Sequence, residues 1–253
     1  MTRQLAQILV VILHIGLLSS LLGGCVAVNH RAASDEDIAR ANVDLGAEYF
    51  RKGQLNYALE NLKKALSHNP KSIDGNALTA LVYEKLEQTD KAESYFETAL
   101  DLVQEDTTTY SYIHNIYGTF LCKYGRAEEA EEHFQASIDS RLNQNPEVVM
   151  ENAGLCALNL QNYAKAETYF RQALKRAPNM SGVLFKMAKL KFETKAYLIA
   201  RAYIQRYHDV NKEPESLAMA IEIERKLKSE QEANKLIRTL KAAFPDSDQA
   251  NAY

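Results

Sequence analysis

Six alanines, Ala58, Ala92, Ala130, Ala166, Ala200 and Ala233, recur at intervals of 34, 38, 36, 34 and 33 residues. A period of this length marks a supersecondary unit that cannot bury its apolar face alone and must stack on copies of itself. Four residues beyond each alanine stands a large apolar side chain, in order Leu62, Phe96, Phe134, Phe170, Ile204 and Ile237. On a helix that offset puts both residues on one face, so each pair is a packing stripe. Twelve residues before the alanine the chain carries Gly46, Ala80, Gly118, Gly154 and Ala188, small enough for two helices to approach closely; the sixth unit departs with Ile221. Twelve residues after it stand Pro70, Pro178 and Pro245, which cannot continue a helix and so end the second helix of their units. Glycine (10) and proline (5) are too scarce for the turn clusters of a strand-rich fold, so the chain reads as all-α.

These recurring positions, with the segment Leu45-Gly46-x-x-Tyr49, resemble the tetratricopeptide repeat over residues 35–246. The resemblance implies a right-handed superhelical solenoid of about six helix-turn-helix units, with Leu45, Tyr49 and Ala58 in the core of the first. The chain lacks the family's tryptophan, having none, and its atypical sixth unit is expected to cap the stack. The 38-residue interval places extra residues around Gln104 to Thr109, which are expected to lengthen a loop. Ser34-x-x-Asp37 has the form of a capping box that starts the first helix.

The N-terminus is of another kind. Arg3 precedes a mostly apolar run from Leu5 to Leu22 and then Gly23-Gly24, the layout of a secretory signal. Leu22-Gly23-Gly24-Cys25 resembles the bacterial lipobox, which implies cleavage after residue 24 and acylation of Cys25. Several acyl chains, each contributing about 0.8 kcal/mol per buried CH₂, hold such a terminus stably at a membrane. Val26 stands where an inner-membrane retention signal has Asp, so the outer membrane is the expected destination. The expected organisation is a signal peptide over 1–24, a lipid-anchored tether over 25–34, repeats over 35–246 and a C-terminal tail over 247–253. The eight residues from Val26 to Ala33 span at most about 25–30 Å, so the first repeat is expected to stay close to the lipid.

Composition narrows the function. Hydrophobic residues are 46% of the 253, enough for a core, and 30 basic against 33 acidic residues give a net charge of -3, with no overall attraction to nucleic-acid phosphates. There is no His-Glu-x-x-His, Gly-x-Ser-x-Gly, phosphate-binding glycine loop or Cys-x-x-Cys, so no enzyme activity, cofactor or metal is expected. His68, His114, His133 and His208 read as scattered packing or solvent-facing residues, and Glu128, Glu129, Glu131 and Glu132 as a solvated helix face. Cys122 and Cys156 lie at different points of their repeats and are expected to be free thiols.

In tetratricopeptide domains the first helices of successive units line a concave groove. Mapped residue by residue, its inward positions are Arg40, Val43, Ala47, Phe50 and Arg51 in unit one and Asp74, Ala77, Leu81, Glu84 and Lys85 in unit two. Val43, Ala47, Phe50, Ala77 and Leu81 form an apolar strip with a charged rim, the expected partner-binding groove. The family's carboxylate clamp for acidic tails is excluded by Val43, Ala47 and Leu78. Farther on, Tyr112, Asn115 and Thr119 are polar, and Leu155, Leu158, Phe185 and Phe192 offer a second, lower-ranked apolar surface. A lipobox followed at once by six such units resembles the pilotin lipoproteins of type IV pilus biogenesis, the PilF/PilW family. That resemblance implies a lipoprotein that binds secretin subunits and supports their localisation to, and multimerisation in, the outer membrane. The alternative in the same anchored class is an adaptor for cell-wall enzymes or β-barrel assembly.

Overall fold

A computed structural model describes residues 33–253; the signal segment, Cys25 and most of the tether lie outside the described residues. Twelve helices form six antiparallel pairs: α1 (Asp35–Arg51) with α2 (Leu55–His68), α3 (Ile73–Lys85) with α4 (Thr89–Leu102), α5 (Thr108–Lys123) with α6 (Ala127–Asp139), α7 (Pro146–Asn159) with α8 (Tyr163–Arg176), α9 (Ser181–Glu193) with α10 (Tyr197–Val210), and α11 (Pro214–Lys226) with α12 (Glu230–Ala243). Each helix packs mainly on its own partner and next on the following unit, which makes the chain a solenoid. No strand occurs among the described residues, and no helix there is long and apolar enough to cross a membrane.

The repeat register holds physically. Ala58, Ala92, Ala130, Ala166, Ala200 and Ala233 are all fully buried, and so are Leu62, Phe96 and Phe170. The small position explains itself in atoms. A Cβ added at Gly154 would lie 2.5 Å from the Phe170 ring, and one at Gly46 would lie 2.7 Å from Leu62. The missing side chain is thus the space its own unit's large residue fills. Gly154→Ala is expected to cost about 1–3 kcal/mol by overpacking, read as a lower urea midpoint.

The ends of the helices follow local chemistry. Ser34 caps α1 by accepting from the Asp37 amide at 3.1 Å while the Asp37 carboxylate accepts back from Ser34 N–H, the expected capping box. Pro70, Pro178 and Pro245 each follow the last residue of a second helix by two. All six turns within units place a residue at positive φ: Gly53, Glu87, Gly125, Gln161, Lys195 and Lys228. Four of the six are not glycine, which is why this regularity has no glycine signature in the sequence.

Three expectations change. Leu45 is 49% exposed instead of buried in the core, although Ala58 is buried and Tyr49 partly so. The equivalent residues Thr79, Tyr117, Ala153, Met187 and Ala220 are buried because a preceding unit covers them, and among the described residues no unit precedes the first repeat. The extra residues of the 38-residue interval mostly lengthen a helix: α5 has 16 residues against 13 in α3 and α9, and Thr107 caps the added turn by accepting from the Tyr110 amide. Finally, Cys122 and Cys156 are joined in a disulfide. They lie on α5 and α7, the first helices of adjacent units, and the two-residue offset in the repeat is small beside their Cα–Cα distance of 5.8 Å.

At the C-terminal end residues 247–253 fold back on the last pair. A one-turn helix, α13 (Asp248–Asn251), buries Ala250 with Leu217, Ile221, Ala233 and Leu240, and Tyr253 packs beside them. The Tyr253 hydroxyl donates to Glu222 at 2.9 Å and its ring lies under the Arg225 guanidinium. Ile221, large where other units are small, belongs to this closing cluster.

Candidate partner-binding groove

The apolar residues of each first helix pack on the second helix of its own unit and, from unit two onward, on the unit before. What remains of its surface faces inward along the stack. Side-chain pairs between consecutive units trace that face: Glu84 meets Lys123 at 2.8 Å, Asn115 accepts from Asn152 at 3.0 Å, and Lys189 meets Glu215 at 2.7 Å. With Glu151 and Lys186 at 2.8 Å between units four and five, each junction from unit two to unit six carries such a pair, so these units contribute to one surface.

Within the apolar strip of units one and two, Val43 is 8% exposed and Ala77 fully buried with Ala99 and Ile113, so neither presents a surface. Ala47, Phe50 and Leu81 are half-buried and keep accessible area. Phe50, like Tyr49, Leu55 and Leu59, packs against the buried Ala58–Leu62–Val82 cluster and keeps part of its surface accessible. At the rim, Glu48 pairs with both Arg51 and Lys52, and Arg40 meets Asp37 at 2.6 Å. These exposed pairs each contribute little stability and chiefly fix where charge stands around the strip. Leu155, Leu158, Phe185 and Phe192 are likewise half-buried and pack on the main core.

Two features of the stack escaped the sequence reading. His114 and His133 both belong to unit three, and their Nδ1 atoms are 2.9 Å apart, with the His114 ring against Tyr110 and the His133 ring against Tyr117. Burial, aided by the charge of His133, pushes His114 down to about 4, and burial also lowers His133 against the opposing pull of Glu132 and Glu129. A histidine whose folded value lies below its unfolded value of about 6.5 favours the fold when neutral. That stability is complete above pH ~6.5 and is lost as pH falls from there toward 4. Wild type is therefore expected to lose about 1–3 kcal/mol more than His114→Gln between pH 7.5 and 4.5 in urea titrations. Equal losses would remove the histidine pair as the cause.

The second feature is ionic. In the two last junctions Lys191 meets Glu167 at 2.5 Å, and Arg201 forms a fork with Glu224 whose Nε–Oε1 distance is 2.7 Å; Lys191 and Glu224 are buried. Both follow one rule, a residue on the first helix of a unit reaching the second helix of the unit before. The corresponding first-helix residues in earlier units include Tyr83, Leu121 and Ala157, so the polarity there is apolar and no charge signature ran along the chain.

Comparison with known proteins agrees with this architecture. The tetratricopeptide repeat description matches residues 76–105 and 149–180. The chain is 30% identical over 187 residues, 72% of its own length and 73% of the other's, to the type IV pilus assembly protein PilF of Pseudomonas aeruginosa. The solved structure reported in a functional characterisation of that PilF superposes with a TM-score of 0.70 at 26% identity, covering 86% of this chain and 97% of that one. The crystal structure of PilW, a widely conserved type IV pilus biogenesis factor, has the same fold, with a TM-score of 0.72 at 24% identity over 85% of this chain and 97% of that one. With its six helix pairs, its inward face and this similarity along most of both chains, the protein belongs to the PilF/PilW-like family of tetratricopeptide repeat proteins of type IV pilus biogenesis.

Proposed function

We propose that this protein is a lipid-anchored pilotin: acylated at Cys25, held on the periplasmic face of the outer membrane, it binds secretin subunits and supports their localisation and multimerisation for type IV pilus biogenesis. The family membership carries this reading. The lipobox supports the anchor, and the Cys122–Cys156 disulfide supports export, since disulfides persist in oxidising compartments. The mechanism is binding and positioning, with no bond made or broken.

The docking surface in this reading is the accessible part of the first strip, Ala47, Phe50 and Leu81, with the charged rim setting orientation. The test is Phe50→Glu, which places an ion against the partner's apolar segment while sparing the buried Ala58 and Leu62. The expected result is a protein of unchanged circular dichroism, loss of heat-resistant secretin multimers and loss of surface pili. Normal multimers with a folded variant would move the docking site elsewhere. For the anchor, Cys25→Ser is expected to leave unprocessed or mislocalised protein, and mass spectrometry of an unmodified mature Cys25 would end that part. Co-purification of the lipidated protein with secretin subunits supports the pilotin reading; co-purification with amidase or barrel-assembly subunits supports the adaptor alternative.

A further inference from the structure

The repeat interval is lengthened twice in succession, to 38 and then 36 residues, and the fold turns both into one feature. The first lengthening projects the N-terminal turn of α5; the second makes the six-residue loop between α6 and α7, residues 140–145. Asn143 pins that loop, donating through Nδ2 to the Ser137 carbonyl at 2.8 Å and accepting at Oδ1 from the Asn145 amide at 2.9 Å. The loop parts two cavities. One, of about 370 Å³, lies between Tyr112, Asn115, Leu142 and Val148. The other, of about 600 Å³, lies beside Tyr110 and Ser140 and is rimmed by Glu105, Asp106, Asp139 and Arg141. Leu142 is a wall of both.

Three kinds of unspent binding capacity meet there. Tyr112, Leu142 and Val148 are 43%, 42% and 43% exposed, large apolar side chains gathered around one cavity. Asn115 uses its oxygen to accept from Asn152, and its own amide nitrogen has no partner among the described residues. Glu105, Asp106 and Asp139 pair with no Lys or Arg among the described residues, Asp139 accepting from the Gln135 amide at 2.8 Å, and the three outnumber the single Arg141 on the rim.

We propose that this double cleft is a second docking site, which takes an extended peptide segment of a partner protein in which apolar side chains are flanked by Lys or Arg. The apolar side chain enters between Tyr112, Leu142 and Val148, a backbone carbonyl of the segment accepts from Asn115, and the flanking cations meet Glu105, Asp106 and Asp139. An anionic lipid surface would face the same three carboxylates and be repelled. Loops on a regular scaffold commonly carry binding, and here the added turn of α5 and the loop 140–145 converge on one place. The site is separate from the strip on α1 and α3 and does not depend on the function proposed above.

The test uses the full chain in detergent and fluorescein-labelled Lys-Lys-Leu-Phe-Leu-Lys-Lys, with Glu-Glu-Leu-Phe-Leu-Glu-Glu as its counterpart, followed by anisotropy. The lysine peptide is expected to bind at least about tenfold more tightly than the glutamate peptide. Leu142→Ser, on an exposed loop, is expected to weaken it about fivefold or more. Glu105→Lys with Asp106→Lys should abolish the preference for lysine flanks, and Phe50→Glu should leave binding unchanged. Equal affinity for the two peptides, or insensitivity to Leu142→Ser, overturns the proposal.

Discussion

Removing the disulfide, by Cys122→Ser with Cys156→Ser, is expected to lower the stability of the folded protein by about 4 kcal/mol. The two cysteines are 34 residues apart, and closing a loop of that size in the unfolded chain removes entropy worth about 4 kcal/mol at 25 °C. For a chain of this length the melting temperature should fall by roughly 10 °C. The bond joins α5 to α7 across the junction of units three and four, the middle of the stack, so its loss weakens an interface on which both halves depend. Dithiothreitol should reproduce the effect on wild type and leave the double variant unmoved. Identical melting curves for the two proteins, or a wild type indifferent to reductant, would show that the junction is held by packing alone.

The second large effect lies at the buried ion pair between units five and six. Arg201→Met is expected to cost about 3–5 kcal/mol, because the Glu224 carboxylate, 8% exposed, is left inside without its cation. The Arg201 guanidinium also donates to the Ser229 hydroxyl at 3.0 Å, so that group loses a partner at the same time. Removing both charges with Arg201→Met and Glu224→Leu should recover most of the loss, since a well-packed apolar pair replaces a buried ionic one at little net cost. The coupling between the two changes, measured as a double-mutant cycle in urea, is therefore expected to be several kcal/mol and compensating. In a stack stabilised unit by unit the damage should stay local, with amide exchange quickening in α9–α12 before α3–α6. A loss below about 1 kcal/mol for Arg201→Met would mean that water reaches Glu224.

Much of the fold was legible because a repeat states each packing rule several times. One buried alanine proves nothing, but six at a common period, each followed by a large apolar residue and most preceded by a small one, define a register that the atoms follow. Gly154 could be assigned a role without coordinates, since a small residue recurring at that point implies a close neighbour, and Phe170 is that neighbour. The candidate groove was legible more coarsely. Its helices and the half-buried Ala47, Phe50 and Leu81 lie where the repeat register put them, but Val43 and Ala77 share the same inward positions and are buried. Position in a repeat specifies direction along a helix face; how much neighbouring side chains cover it depends on their sizes and on the tilt of the next unit.

The sequence alone determined the all-helical repeat, its period, its helix ends at Ser34, Pro70, Pro178 and Pro245, and the absence of any charge pattern for nucleic acid, because each of these is encoded in local spacing or in composition. Only the tertiary structure decided which residues of different units meet. Cys122 and Cys156, Arg201 and Glu224, and His114 and His133 are far apart in sequence or out of phase in the repeat, and they come together through the angle and offset at which neighbouring helices cross. The exposed Leu45, the added turn of α5 and the closure of the last unit by Ala250 and Tyr253 have the same origin. A periodic sequence specifies the contacts that every unit shares, whereas its ends, its insertions and its cross-links depend on what stands beside each unit in space.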